Sequence, residues 1–136
     1  MEKSIKILIV DDEKSIIDIL NAYLTRSGYI VESSPNIKQA VEYLDNGDVN
    51  IVLCDIILQQ EDGYELLEYV KKNFSDIAVL MMTGHVETHS IKTSLQKGAD
   101  DYISKPIKFS ELSNVINKVT WKYASKWQVT SASPAG

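Results

Sequence analysis

The chain has one cysteine, Cys54, in 136 residues, so no internal disulfide can staple its fold. That cysteine lies inside an apolar run, where a buried, inert thiol is the expectation. No apolar stretch approaches the roughly 20 residues that cross a bilayer. Met1 leads almost directly into a strand-like run, without the regions of a signal peptide. A cytoplasmic setting is therefore expected. Basic residues are also short: 14 lysines and arginines against 19 acids give a net charge of −5. No basic stripe is present to neutralise phosphates, so direct nucleic-acid binding is not expected. Internal repeats and low-complexity segments are missing from the body of the chain. The length suits one domain with a real core. An apolar share of 44% and a charged share of 24% are ordinary for such a domain.

What is there is an alternation of short apolar runs with helical patterns. Ile5 to Val10 reads as a strand ending in Asp11-Asp12. Ile16, Leu20, Tyr23 and Leu24 then share a helical face, with Gly28 suited to the cap. Tyr29-Ile30-Val31 reads as a short strand, and Ser34-Pro35 as a helix start with the serine as N-cap. Ile37, Ala40, Val41 and Leu44 keep helical spacing until Gly47. The run Ile51 to Cys54, ending on Asp55, reads as a buried strand, with a buried helix the alternative on periodicity alone, and Gln59 to Gly63 as a polar loop. Leu66, Leu67, Val70 and Phe74 mark a third helix, and Ile77 to Met82 a strand stopping at Thr83-Gly84. A fourth helix, roughly Glu87 to Lys97, has only Ile91 and Leu95 clearly in phase. Asp101 to Ser104 is a strand before Lys105-Pro106, and Leu112, Val115, Ile116 and Val119 form the last helical stripe.

Five strands alternating with five helices predict a doubly wound α/β fold around a parallel sheet. In such sheets the ligand crevice lies at the carboxyl ends of the strands. Asp11, Asp12, Asp55, Thr83 and Lys105 all fall at strand ends. Three carboxylates gathered in one crevice repel each other unless a cation sits among them. A few hard oxygen ligands with open positions for water and phosphate suit Mg²⁺. With a lysine and a hydroxyl opposite, the set provides what phosphoryl transfer needs.

Asp11-Asp12, Asp55, Thr83, Tyr102 and Lys105-Pro106, in that order, resemble the signature of the receiver domain of two-component response regulators. The resemblance spans roughly residues 4 to 122. It implies a receiver domain over residues 1–124, a linker-like tail over 125–136, and the flavodoxin-like strand order 2-1-3-4-5. It also implies Asp55 as phosphoacceptor, with Mg²⁺ held by Asp11, Asp12, Asp55 and the main-chain carbonyl of Ile57. Lys105 would pair with the phosphate, Thr83 and Tyr102 would be the switch pair, and the Lys105–Pro106 peptide would be cis. The implied donor is a sensor histidine kinase or phosphotransfer protein. The implied output is a change in the face made by the fourth helix, fifth strand and fifth helix, read by an output domain, a partner or a second copy. Gln59 departs from the proline usual in that family, Gly84 from alanine, and Ile57 from the polar residue of many relatives.

Taken singly, these residues have plainer readings. Asp12 serves as a helix N-cap, Thr83 as a strand end, Lys105 as a surface lysine and Tyr102 as a half-buried aromatic. His85 and His89 read as solvated, with His85 the alternative candidate to meet an incoming phosphodonor or water. Trp121 falls off the core stripe; a scattered exposed aromatic is the plainer reading, and a partner or dimer contact shared with Tyr123 and Trp127 is the alternative. A competing function is a pseudo-receiver that binds partners without phosphotransfer. An enzyme turning over external phosphate esters is not expected, because Ile57 stands where a second acid is wanted. A flavin site is not expected either, since no phosphate-binding loop follows Val10.

Overall fold

The structure is a computed structural model, and it describes residues 4–84 and 88–129, without the side chains of 88–90. It opens with strand β1 (Lys6–Val10), helix α1 (Lys14–Arg26), strand β2 (Ile30–Ser34) and helix α2 (Ile37–Asp45). Strand β3 (Ile51–Asp55) precedes a small hairpin of β4 (Ile57–Leu58) and β5 (Glu61–Asp62). Helix α3 (Gly63–Asn73), strand β6 (Ala78–Thr83), helix α4 (Thr88–Gln96), strand β7 (Asp101–Ser104) and helix α5 (Phe109–Trp127) complete it. The five long strands form one parallel sheet in the order β2-β1-β3-β6-β7. With the hairpin set aside, this is the expected 2-1-3-4-5 order.

Alternation along the strands builds two cores. Ile7, Ile9, Ile51, Leu53, Leu80 and Ile103 face the layer of α1 and α5, where Leu20, Leu24, Leu112 and Ile116 meet them. Leu8, Val10, Val52, Cys54, Val79 and Met81 face Ala40, Leu44, Leu66, Leu67 and Val70 of α2 and α3. Strands buried on both faces explain why β3 and β6 are continuous apolar runs.

Four local expectations are corrected. Ser34 does not cap α2, because it closes β2 opposite Val10 and its carbonyl accepts the N–H of Asp11. The cap is Asn36, whose side chain accepts the N–H of Gln39 at 2.9 Å. The polar loop from Gln59 is the turn and second strand of the β4–β5 hairpin, with Leu58 opposite Glu61. Helix α4 buries only part of the pair in phase: Ile91 is half-buried, Leu95 is 48% exposed, and among the described side chains of the helix the fully buried one is Ser94. Ser94 is accommodated by a hydroxyl contact with Tyr64 at 3.1 Å, a polar tie that apolar periodicity does not register.

The fourth correction concerns the end of the chain. Tyr123 and Trp127 continue the buried stripe of Leu112, Ile116 and Val119, and they stack with ring centroids 5.1 Å apart. They are core, not contact surface, while Trp121 is exposed as expected. Helix α5 therefore crosses the expected boundary at 124, and residues 130–136 of the tail lie outside the described residues.

Beneath this stripe sits a buried carboxylate, Asp100. It accepts from Lys71 at 2.7 Å, from Lys122, the Tyr123 hydroxyl and the Val79 N–H at 2.8 Å each. Burial alone would push its carboxyl up, but these donors, Lys122 and Lys71 foremost, hold it below the ordinary value of 3.8. A folded-state value below the unfolded one contributes stability that is present above pH 3.8 and lost as pH falls through the folded value. Asp100→Asn is expected to lower unfolding free energy by about 3 kcal/mol at neutral pH, as for a broken buried ion pair. In urea titrations the gap between wild type and variant should close as the pH is taken below about 4.

Candidate functional site

The alternation that fills the α1–α5 layer also aims three side chains at one place. Ile9, Leu53 and Ile103 face that layer, and Asp11, Asp55 and Lys105 each lie two residues further along, where the strands end. The Lys105 ammonium lies 2.7 Å from Asp55 Oδ2 and 3.0 Å from Asp11 Oδ2, with Glu13 Oε1 further off at 3.9 Å. Its placement is fixed by main chain, since the Lys105 N–H donates to the Thr83 carbonyl at 2.7 Å. The Lys105–Pro106 peptide is cis.

Asp11 and Asp55 are buried, and each accepts one N–H two residues on: Glu13 to Asp11 at 2.9 Å and Ile57 to Asp55 at 3.2 Å. Burial raises the Asp55 carboxyl, and Asp11 adds to the rise, while Lys105 and the Ile57 N–H pull the other way. Burial opposes charge on Lys105 too, but the hydrogen bonds it donates to Asp55 and Asp11 outweigh that and raise its ammonium. Two acids thus share one cation.

Asp12 is exposed, and it does not cap α1. The N-cap position belongs to Glu13, without a side-chain bond. Asp12 Oδ2 instead accepts the N–H of Gln59 at 2.7 Å. One carboxylate oxygen from each of Asp11, Asp12, Glu13 and Asp55 lies within 4.8 Å of the others. Four carboxylates against one ammonium leave a negative pocket of hard oxygen donors, which fits a small divalent cation.

Thr83 is buried at the end of β6, one residue past Met82, the partner of Asp55. Tyr102 is half-buried on β7 opposite Met81, and Ser104 is opposite Thr83. Paired residues share a face, so Thr83 and Tyr102 lie diagonally to each other on one face of the sheet. Tyr102 also borders an open groove of about 290 Å³ between β7 and α5. Ile57, beside Asp55, is 73% exposed. Cys54 is fully buried, and burial drives its thiol strongly upward. His85 and the side chain of His89 lie outside the described residues.

Three parts of the site escaped the sequence reading. Glu13 simply extends the acid run, and that run was the available signal. The Gln59 N–H carries no signal, because a main-chain donor is common to nearly every residue. Gly63 has the residue type of an ordinary turn. At the start of α3 its N–H donates to the Ile56 carbonyl at 2.7 Å, and an added Cβ would lie 2.0 Å from the Asp55 carbonyl oxygen.

Comparison with known proteins gives a consistent set of matches. The family described as response regulator receiver domain matches residues 7–117. Response regulator SaeR of Staphylococcus aureus is 35% identical over 113 residues, which are 83% of this chain and 49% of that protein. The chain thus spans about half the length of the curated relatives it matches. A CheY-like response regulator receiver domain protein from Methanospirillum hungatei JF-1 superposes with a TM-score of 0.84 at 31% identity, covering 91% of this chain and 99% of that one. NtrX from Brucella abortus superposes with a TM-score of 0.85 at 28% identity, covering 93% of this chain and 29% of its own.

The close approach at Gly63 has a direct consequence. Because the atoms it meets are main chain rather than a flexible side-chain end, Gly63→Ala is expected to force β3 and α3 apart. A loss of about 3 kcal/mol is expected, the upper part of the overpacking range, read from the urea midpoint.

Proposed function

The chain belongs to the response regulator receiver domain family, and on that premise we propose that Asp55 accepts a phosphoryl group from a phosphohistidine. The donor is a sensor histidine kinase or a phosphotransfer protein. The observation that carries this reading is Lys105, seated between Asp55 and Asp11 within a four-carboxylate pocket.

An oxygen of Asp55 attacks phosphorus in line. The phosphorus–nitrogen bond of the donor breaks, and its electron pair stays with the imidazole, which takes a proton from water. Lys105 exchanges part of its contact with Asp55 for a phosphoryl oxygen, so the transferred charge meets a cation already in place. Bound among Asp11, Asp12 and Asp55, with the carbonyl of Ile57, Mg²⁺ would supply the further neutralisation that phosphoryl transfer requires. The bulk of Ile57 beside Asp55 leaves hydrolytic water without a polar group to hold it there. The chain acts on its own aspartate, not on external substrates.

Phosphorylation adds about −1.5 to −2 charges where one carboxylate stood. The Thr83 hydroxyl donates to the phosphoryl group, and Tyr102, diagonal to it on the same face, follows into the space released. Helix α4 is suited to respond. Its described ties to α3 include the Tyr64–Ser94 contact and, one residue past the helix end, a Lys97–Glu68 ion pair at 2.8 Å, while Leu95 stays exposed. The α4–β7–α5 face is then the surface that an output domain, a partner or a second copy reads, and phosphorylation biases two existing states of it.

Incubation with acetyl phosphate and Mg²⁺ should add the mass of one phosphoryl group to the intact wild type. Asp55→Asn and samples in excess EDTA should gain none. A folded wild type that gains no mass would favour the pseudo-receiver. The second expectation is kinetic: after removal of the donor, the aspartyl phosphate of wild type should outlast that of Ile57→Asn several-fold. Equal lifetimes in a label-loss assay would refute the role given to Ile57.

A further inference from the structure

Each of the three aspartates accepts one main-chain N–H, and the third case differs in kind. Asp11 and Asp55 are held by donors two residues on, Glu13 and Ile57. Asp12 is held by Gln59, 47 residues away, across the gap between the β1–α1 loop and the turn of the β4–β5 hairpin. Asp11 and Asp55 also share Lys105. For Asp12, exposed and not engaged in capping α1, the Gln59 N–H is the hydrogen-bond partner found among the described residues. Its carboxylate nevertheless lies within 4.8 Å of those of Asp11, Glu13 and Asp55.

We propose that the main-chain N–H of Gln59 is a positioning group for divalent-cation binding, holding the Asp12 carboxylate toward the other acids and so strengthening Mg²⁺ affinity. The inference rests on the reading of this pocket as a Mg²⁺ site. A carboxylate has lone pairs enough to accept an N–H and ligate a cation together. An exposed aspartate without that bond turns among rotamers and is driven outward by its three acidic neighbours. Ordering it then falls to the cation and weakens binding. Outer partners of metal ligands typically set about 10- to 100-fold in affinity.

The chemistry of the turn makes this testable at one residue. Proline alone lacks the N–H. Of the two turn residues only Gln60 has a positive φ, 64°, between Leu58 and its partner Glu61. That is the pattern of a type II turn, which accepts proline at its first central position. Leu58 lies in β4, extended as a residue before proline must be. Gln59→Pro therefore removes the donor while keeping the turn, and Gln59→Ala removes the side chain while keeping the donor.

Isothermal titration of the full chain with MgCl2, for wild type, both Gln59 variants, Asp12→Ala and Asp12→Ala/Gln59→Pro, tests the proposal. Gln59→Ala should bind as wild type, and Gln59→Pro about tenfold more weakly. In the Asp12→Ala background, proline should add little. Unchanged or tighter binding in Gln59→Pro overturns the proposal, as does an equal loss with Asp12 absent. A wild type that binds no Mg²⁺ at millimolar concentration overturns the magnesium reading and this inference with it. A measurement independent of proline is the amide exchange of Gln59. Protection in wild type that disappears in Asp12→Ala supports the bond, and a freely exchanging Gln59 amide in wild type overturns it.

Discussion

One ammonium group shared by two buried acids governs the carboxyl edge of this sheet. Asp11 and Asp55 are out of water, and leaving either unpaired there would be costly. Lys105 answers both, at 3.0 and 2.7 Å. The sharing is made possible by strand period and register. Three strands bring side chains of like parity to one edge, and the Thr83 carbonyl fixes where the lysine chain begins. The compensation is incomplete, since Asp12 and Glu13 add two more acids to the pocket. The chemistry of that excess, hard carboxylate oxygens facing one ammonium, is what suits the pocket to a small divalent cation.

The features legible in the sequence were those that hydrophobic pattern and strand ends control. The run Ile51 to Cys54 fixed a central strand because a strand covered on both faces must be apolar throughout. That in turn made the acid at its end conspicuous. Lys105 and Thr83 were legible only as part of the set. Elsewhere the pattern failed where polar groups do the packing. Ser94 is buried on α4 where Tyr64 meets it, and no apolar period announces a hydroxyl pair. Ser34 and Asn36 both suit an N-cap. The choice fell to Asn36 because the β1–β2 ladder claims Ser34, a long-range fact. The N–H of Gln59 and the bare Cα of Gly63 act through main chain, where residue type leaves almost no trace.

The two helices flanking β7 are attached in opposite ways. Helix α5 lays Leu112, Ile116, Val119, Tyr123 and Trp127 into the core, and Asp100 ties its far end to α3 through Lys71. Among its described residues, helix α4 leaves Leu95 outside, half-buries Ile91 and is held by the Tyr64–Ser94 hydroxyl contact and, one residue past its end, the Lys97–Glu68 ion pair. Apolar burial of five large side chains is worth several kcal/mol, whereas exposed ion pairs contribute about 1 kcal/mol or less. Any rearrangement at this edge of the molecule therefore falls more readily on α4.

The indole of Trp127 donates to the Asp76 carbonyl, which pins the last turn of α5 beside the entry to β6, at the amino end of the sheet. Over its 19 residues the helix runs about 28 Å at 1.5 Å per residue. The described chain thus ends at the pole opposite the acids. Between that pole and the acids the helix is one continuous strut, packed against the sheet by Leu112, Ile116, Val119, Tyr123 and Trp127.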